Sequence, residues 1–382
     1  MNVPLNFLLI IVVFGSSIAV FADSPRVVGH AAVYDRDGRF GGWPANHGIW
    51  SWGNEILVGF SAGYYKNLGP ERHAIDRELP EEHLLARSLD GGQTWSVENP
   101  AEQGVLIGNR EMRHGTVPPG VRERPISTNS TAIDFAHPDF VMTLRMSSNH
   151  TGQSRFYYSY DRGHNWNGPY LLPLFGEKGI SARTDYLVNG ASDCILFLTA
   201  SKKNNREGKV ICCRTIDGGL SWQRISQIGP EPNGFAIMPS TVRLSERSLL
   251  CARRRREGDG EAKRRWIDAY LSRDNGLSWR YVGDPAPTAG EGNPPHLVKL
   301  VDGRLCLTYG LRAAPYEIHA RLSDDRGLTW SEPFLIRGDG AGRDLGYPRT
   351  VQLPNGNLVT IYYFHDKSDV DRKIIATTWN PG

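Results

Sequence analysis

The chain has 382 residues, and its 44 Lys and Arg nearly balance 41 Asp and Glu, for a formal net charge of +3. That balance leaves no basic footprint for a nucleic-acid partner. With 42 Gly, 24 Pro and 10 Trp and few stretches of helical period, the composition excludes a helical bundle and predicts an all-β structure.

From the N-terminus, Asn6 to Val20 is an almost uninterrupted apolar run followed by Phe21 and Ala22. It is too short for a spanning helix, and small residues up to Ala22 suit cleavage before Asp23. Residues 1–22 therefore read as a signal peptide, and 23–382 as one secreted or periplasmic domain. No later run is apolar enough to cross a membrane, so no membrane partner is expected. Cys194, Cys212, Cys213, Cys251 and Cys306 all lie in apolar runs and read as buried strand thiols; no spacing suits a metal, and no cofactor is expected.

One octapeptide recurs along the chain: SLDGGQTW at 88–95, SYDRGHNW at 159–166, TIDGGLSW at 215–222, SRDNGLSW at 272–279 and SDDRGLTW at 323–330. In each, Ser or Thr precedes Asp by two residues, Gly follows two later, and Trp closes the unit. Asp bonds backbone amides in a tight turn, Gly supplies a backbone geometry closed to other residues, and Trp adds a large apolar face. This device folds a turn and catalyses nothing. Hairpin patterns precede the copies: Ile49–Phe60, Thr184–Leu198, Pro239–Cys251, Pro295–Tyr309, Pro348–Tyr363 and, less regularly, Pro125 through Leu144. Six opening strands thus stand against five boxes.

The pattern S-x-D-x-G-x-(S/T)-W at such intervals resembles the Asp box of the sialidase (neuraminidase) superfamily. The resemblance covers nearly all of the mature chain and implies a six-bladed β-propeller. The sixth unit, ending in Lys373–Trp379, lacks a box and one strand, and Arg26–Tyr34 is a strand without a partner. Pairing them would close the ring and remove both free edges.

In a propeller the first strand of each blade lines the axis. The opening positions hold His47, Arg124, Arg183, Met238, Asn293 and Tyr347, and the following strand ends add Arg145, Lys202, Arg254, Arg312 and His365. A mouth of arginines around one tyrosine is an anion site, because guanidinium forks match a carboxylate. Trp43, after the Gly41-Gly42 turn, is a candidate platform for a sugar face.

The resemblance implies roles for particular residues. Gly346-Tyr347-Pro348-Arg349 is similar to the family's nucleophile segment, which makes Tyr347 the nucleophile and places Arg349 beside it. Asp76, in His73-Ala-Ile-Asp-Arg77, lies where the family keeps its acid. Arg124, Arg183, Arg254, Arg343 and Arg349 are the candidates for binding the carboxylate of an acidic glycan. Two positions depart from the family. Its Arg-Ile-Pro motif is replaced by Asn46-His47-Gly48-Ile49-Trp50, and Met238 stands where Glu activates the tyrosine. Asp185, Asp344 and Asp366 are candidates to replace that Glu; the alternative is that arginines lower the phenol's pKa, since a free tyrosine titrates near pH ~10.

Three functions follow. The first is a retaining exo-glycosidase releasing sialic acid or a related acidic sugar, with Tyr347 as nucleophile and Asp76 as acid and base. The second is a lyase acting on uronic-acid glycans, with His47 and Tyr347 as base and acid. The third is a carbohydrate-binding propeller without turnover. The oligomeric state is not legible.

Overall fold

Each Asp box folds as a closed hydrogen-bonded knot. In the computed structural model, which describes Met1 and residues 24–108, 119–258, 260–287 and 293–382, Ser88 Oγ donates to Asp90 Oδ1 at 2.8 Å and accepts from the Gly92 amide at 2.8 Å. Asp90 in turn accepts from the Thr94 amide at 2.9 Å and its hydroxyl at 2.6 Å. Chiefly through that hydroxyl, the Asp90 pKa falls to about 2. The other four boxes repeat the Ser/Thr-to-Asp bond at Asp161, Asp217, Asp274 and Asp325.

The boxes also seal the seams between blades. A Cβ on Gly163 would sit 2.6 Å from Leu57 Cδ2, on Gly276 2.9 Å from Cys212 Sγ, and on Gly327 2.5 Å from Leu250 Cδ2. Each of these glycines has a φ between +84° and +91°, and each presses on the preceding blade. The repeated Gly is therefore fixed twice, by backbone conformation and by close approach.

Six antiparallel sheets form the blades of the propeller. Blade 1 pairs Arg39–Gly42 and Ile49–Trp52 with Glu55–Tyr64, followed by Glu82–Ser88 and Ser96–Glu98. Blade 2 is Val141–Arg145, Arg155–Ser159 and Asn167–Leu171; blade 3 pairs Ile180–Ser181 and Tyr186–Gly190 with Asp193–Ser201, then Glu207–Thr215 and Gln223–Ile228. Blade 4 runs from Phe235–Arg243 to Arg280–Pro287, and blade 5 from His296–Lys299 to Phe334–Arg337. Blade 6, Gly346–Gln352, Leu358–Phe364 and Lys373–Asn380, takes Arg26–Tyr34 as its outer strand, with Arg26 opposite Asn380 and Tyr34 opposite Ile374. The ring closes as the unpaired strands require.

All five cysteines are buried and free, matching their place in strand interiors. Residues 2–22 of the expected signal peptide lie outside the described residues. No described helix is long and apolar enough to cross a membrane.

What positions the site is a shared break in the inner strands. Trp43, Met238 and Tyr347 each have positive φ (59°, 54° and 51°) and each is followed by proline. Around Met238-Pro239 and Tyr347-Pro348 the ladder skips, resuming at Ser240 and Arg349. A left-handed non-glycine residue costs roughly 1–2 kcal/mol, so three at equivalent places mark a site that the surrounding fold holds in place. All three side chains meet in one buried cluster at the axis.

Blade 2 differs. Its opening segment does not reach the axis: Ser127 bridges in parallel to Tyr170 on the outer strand, and the innermost strand is Val141–Arg145 itself.

Candidate active site

Tyr347 stands at the centre of the mouth, held from behind. Gly346, at φ 104°, passes so close to Asn293 that a Cβ there would lie 2.0 Å from Oδ1, and the same Oδ1 accepts the Tyr347 amide at 2.8 Å. The phenol is 8% exposed and faces a cavity of roughly 130 Å³ lined also by Trp43, Asn46, His73, Arg77 and Arg183.

Cations crowd this phenol. Arg254 Nη1 lies 3.3 Å from its hydroxyl and 3.9 Å from Met238 Sδ, while the Arg312 guanidinium sits 5.1 Å from the ring centre. Burial alone would raise the Tyr347 pKa. Arg254, Arg312 and Arg183 together outweigh burial and bring it below the ordinary value. Met238 thus lies against Arg254 and brings no carboxylate to the phenol, whose lowered pKa comes from the surrounding positive charge.

Strand alternation decides which arginine of the run 253–256 reaches the site. Arg254 and Arg256 share the face over Phe235. Arg253 turns the other way into a two-pronged pair with Asp268, at 2.9 and 2.6 Å, and lies 4.3 Å from the Tyr270 ring centre. It holds blade 4 together and is not a ligand.

A second group adjoins the phenol. His73 Nδ1 lies 2.6 Å from Asp344 Oδ1, and the ring packs edge-on to Trp43 at 5.1 Å. Asp344 also accepts the Ala74 amide at 2.8 Å, the Tyr363 hydroxyl at 2.9 Å and Arg372 Nε at 3.1 Å. Burial would raise this carboxyl, but His73, Arg372 and Arg312 hold it far below the usual range. His73 itself is lowered, by burial first, against the pull of Asp344.

Residues 140–360 match the BNR repeat-like domain. The chain belongs to that family. No curated protein sequence matches it. Among solved structures, a Dyadobacter fermentans protein of unknown function superposes with TM-score 0.69 at 18% identity, covering 94% of this chain and 100% of that one. The α-L-arabinofuranosidase of Fusarium graminearum follows with TM-score 0.56 at 12% identity, covering 93% and 97%. The NanB sialidase of Streptococcus pneumoniae has TM-score 0.54 at 12% identity, covering 94% and 70%. At such identities these neighbours establish the propeller; with the family match they place the chain in the sialidase/BNR-repeat superfamily.

Within this BNR repeat-like propeller the sequence-derived site divides. Tyr347, Arg183 and Arg254 come together. Arg183 is steadied by Asn46 Oδ1 at 3.2 Å and Glu207 at 3.2 Å. Arg124 does not join them: its Nη1 donates to the Trp166 carbonyl at 2.7 Å, beside the blade 2 box, because its segment follows the outer strand. Arg349 is buried beneath the mouth, donating to the Ala45 and Thr184 carbonyls at 2.6 and 2.7 Å and tying three blades across the axis. Arg343 donates to the Glu71 carbonyl and lines a neighbouring groove of roughly 820 Å³, with His365 and Asp366.

His47 is fully buried, with Nε2 3.0 Å from Ser61 Oγ and its ring edge-on to His83 at 5.0 Å. Burial drives its pKa well down, and it is not among the residues lining the cavity. Asp76 lies on the right segment, yet its carboxylate meets Lys66 Nζ at 3.2 Å and caps the Glu78 amide at 3.0 Å. Asp185 is beside Thr241, its Oδ2 accepting that hydroxyl at 3.0 Å, and burial lifts it to about 7. Lys202 donates to the carbonyls of Pro232, Asn233 and Gly234, which clamps the crossing into blade 4.

Proposed function

We propose that this protein is a glycoside hydrolase that releases a terminal acidic sugar, of the sialic-acid type, with retention at the anomeric carbon. The observation that carries the reading is the buried Tyr347 hydroxyl 3.3 Å from Arg254, with Arg312 and Arg183 adding their charge. A phenolate stabilised this way can attack an anomeric carbon. Because the guanidiniums around it offset its charge, such a nucleophile suits sugars whose own carboxylate would repel Asp or Glu. The same arginines present forked donors to that carboxylate, and Trp43 offers a flat apolar face beside them. Glycosidases among the neighbouring propellers, including the sialidase and the arabinofuranosidase, support the reaction class.

The test is release of 4-methylumbelliferone from its α-N-acetylneuraminide and from glycosides of other 2-keto acids. Turnover by the wild type, lost in Tyr347→Phe with the fold intact, supports the reading; inertness toward every acidic glycoside overturns it. One observation favours a second reading: Met238 leaves no carboxylate at that position, so the phenolate could instead remove the proton beside a uronate carboxyl, with the arginines stabilising the charge that develops. An unsaturated ultraviolet chromophore released from uronate polymers would identify that elimination.

A further inference from the structure

The geometry points to the His73–Asp344 pair as the acid/base partner of Tyr347, taking the part that Asp76 does not fill, an inference that rests on the hydrolase reading above. His73 and Tyr347 line the same cavity, which is small enough that a sugar ring entering it meets both. The Nδ1 of His73 is committed to Asp344 at 2.6 Å, and among the described residues Nε2 makes no hydrogen bond. With 28% of its side chain exposed, this is a histidine oriented from behind and open in front.

Asp344 is built for that task. Four donors converge on it: the imidazole, the Ala74 amide, the Tyr363 hydroxyl and the Arg372 guanidinium. They keep it an anion while fixing its direction, as a third group orients the base of a catalytic triad. Tyr363 is further hydrogen-bonded to Arg312, which in turn lies over the Tyr347 ring, so the two halves are in contact through Arg312. Charged groups facing His73 are Asp344, Arg312 and Arg77, two cations against one anion, and a bound carboxylate sugar would tip that balance toward the imidazolium.

The reacting state holds its proton on His73 and its charge on Tyr347. The phenolate oxygen bonds to the anomeric carbon as the glycosidic C–O bond breaks, and the Nε2 proton passes to the departing oxygen. Water then gives a proton to Nε2 as its oxygen bonds to the same carbon, and Tyr347 leaves as phenolate. Atoms and charge return to their starting positions. No redox partner or metal enters.

The experiment compares two leaving groups. A 4-methylumbelliferyl glycoside needs little protonation, whereas an oligosaccharide alcohol needs a proton to depart. In His73→Ala, turnover of the oligosaccharide should fall about 100-fold or more. The activated substrate should lose about tenfold or less in the bond-breaking step, and azide should restore turnover by trapping the intermediate as glycosyl azide. His73→Gln serves as the second variant, and binding of a 2,3-didehydro sialic acid analogue verifies that each site is intact. Asp344→Asn, which removes the anion behind His73, should shift the pH profile without abolishing turnover. Equal loss on both substrates, or loss on neither, overturns the assignment while leaving the hydrolase in place. A wild type inert toward both substrates removes the hydrolase reading itself.

Discussion

Replacing Arg254 with methionine removes the cation nearest the phenol and keeps an unbranched chain against Met238 and Phe235. A hydrogen bond to a charged group contributes about 1.5–3 kcal/mol, and one pKa unit corresponds to about 1.4 kcal/mol. With Arg254 at 3.3 Å from the hydroxyl, losing that contact should raise the Tyr347 pKa by about 1–2 units. Arg312 and Arg183 remain, so the phenol should not reach the value expected of an uncompensated buried tyrosine. The assay is an ultraviolet pH titration of tyrosinate, with Tyr347→Phe subtracted to isolate the single phenol. The same shift should appear as an upward move of the acidic limb of kcat/KM, with a loss of about 10- to 100-fold at neutral pH. An unchanged tyrosinate titration in Arg254→Met would refute the argument that these guanidiniums activate the phenol.

Other predictions concern the frame. Asp90 has a folded pKa of about 2, below the unfolded one, so its stabilisation is complete above pH ~4 and is lost as pH falls toward ~2; plots of urea-derived stability against pH across that window should show a shallower slope for Asp90→Asn. Gly163→Ala puts a methyl 2.6 Å from Leu57 Cδ2 at φ +84° and should cost about 2–4 kcal/mol, read as a lower denaturation midpoint with an unchanged m-value. Arg253→Met removes the two-pronged partner of the buried Asp268 carboxylate, leaves it Arg255 at 3.2 Å and should cost about 3 kcal/mol, whereas Arg254→Met in the same strand should affect the phenol titration more than the melting temperature.

The architecture was legible because its determinants are local. A box is eight residues that hydrogen-bond to one another, and period-two strands with Gly turns follow each in turn. Closure by Arg26–Tyr34 followed from counting strands, since a last blade one strand short and an unpaired N-terminal strand complete each other. Tyr347 was readable from its Gly-Tyr-Pro segment, and Arg254 and Arg183 from their strand ends. Contacts across long separations were not readable. His73 and Asp344 are 271 residues apart, and nothing local to either announces the pair. Arg124 shows the opposite failure: its place at a strand opening predicted an axial position, but its segment runs along the outer edge of blade 2. Arg349 and His47 are buried and do not line the cavity beside Tyr347, which periodicity alone does not convey. Asp76 occupies the anticipated segment, and its rotamer takes it to Lys66.

In the proposed reaction Tyr347 makes the bond to the sugar. A 2,3-difluoro sialic acid analogue, which forms a slow-turnover glycosyl-enzyme, followed by digestion and mass spectrometry tests it directly. One added sugar is expected on the peptide carrying Tyr347 and none in Tyr347→Phe. A sugar attached to any other residue, or hydrolysis of acidic glycosides that persists in Tyr347→Phe, would contradict it.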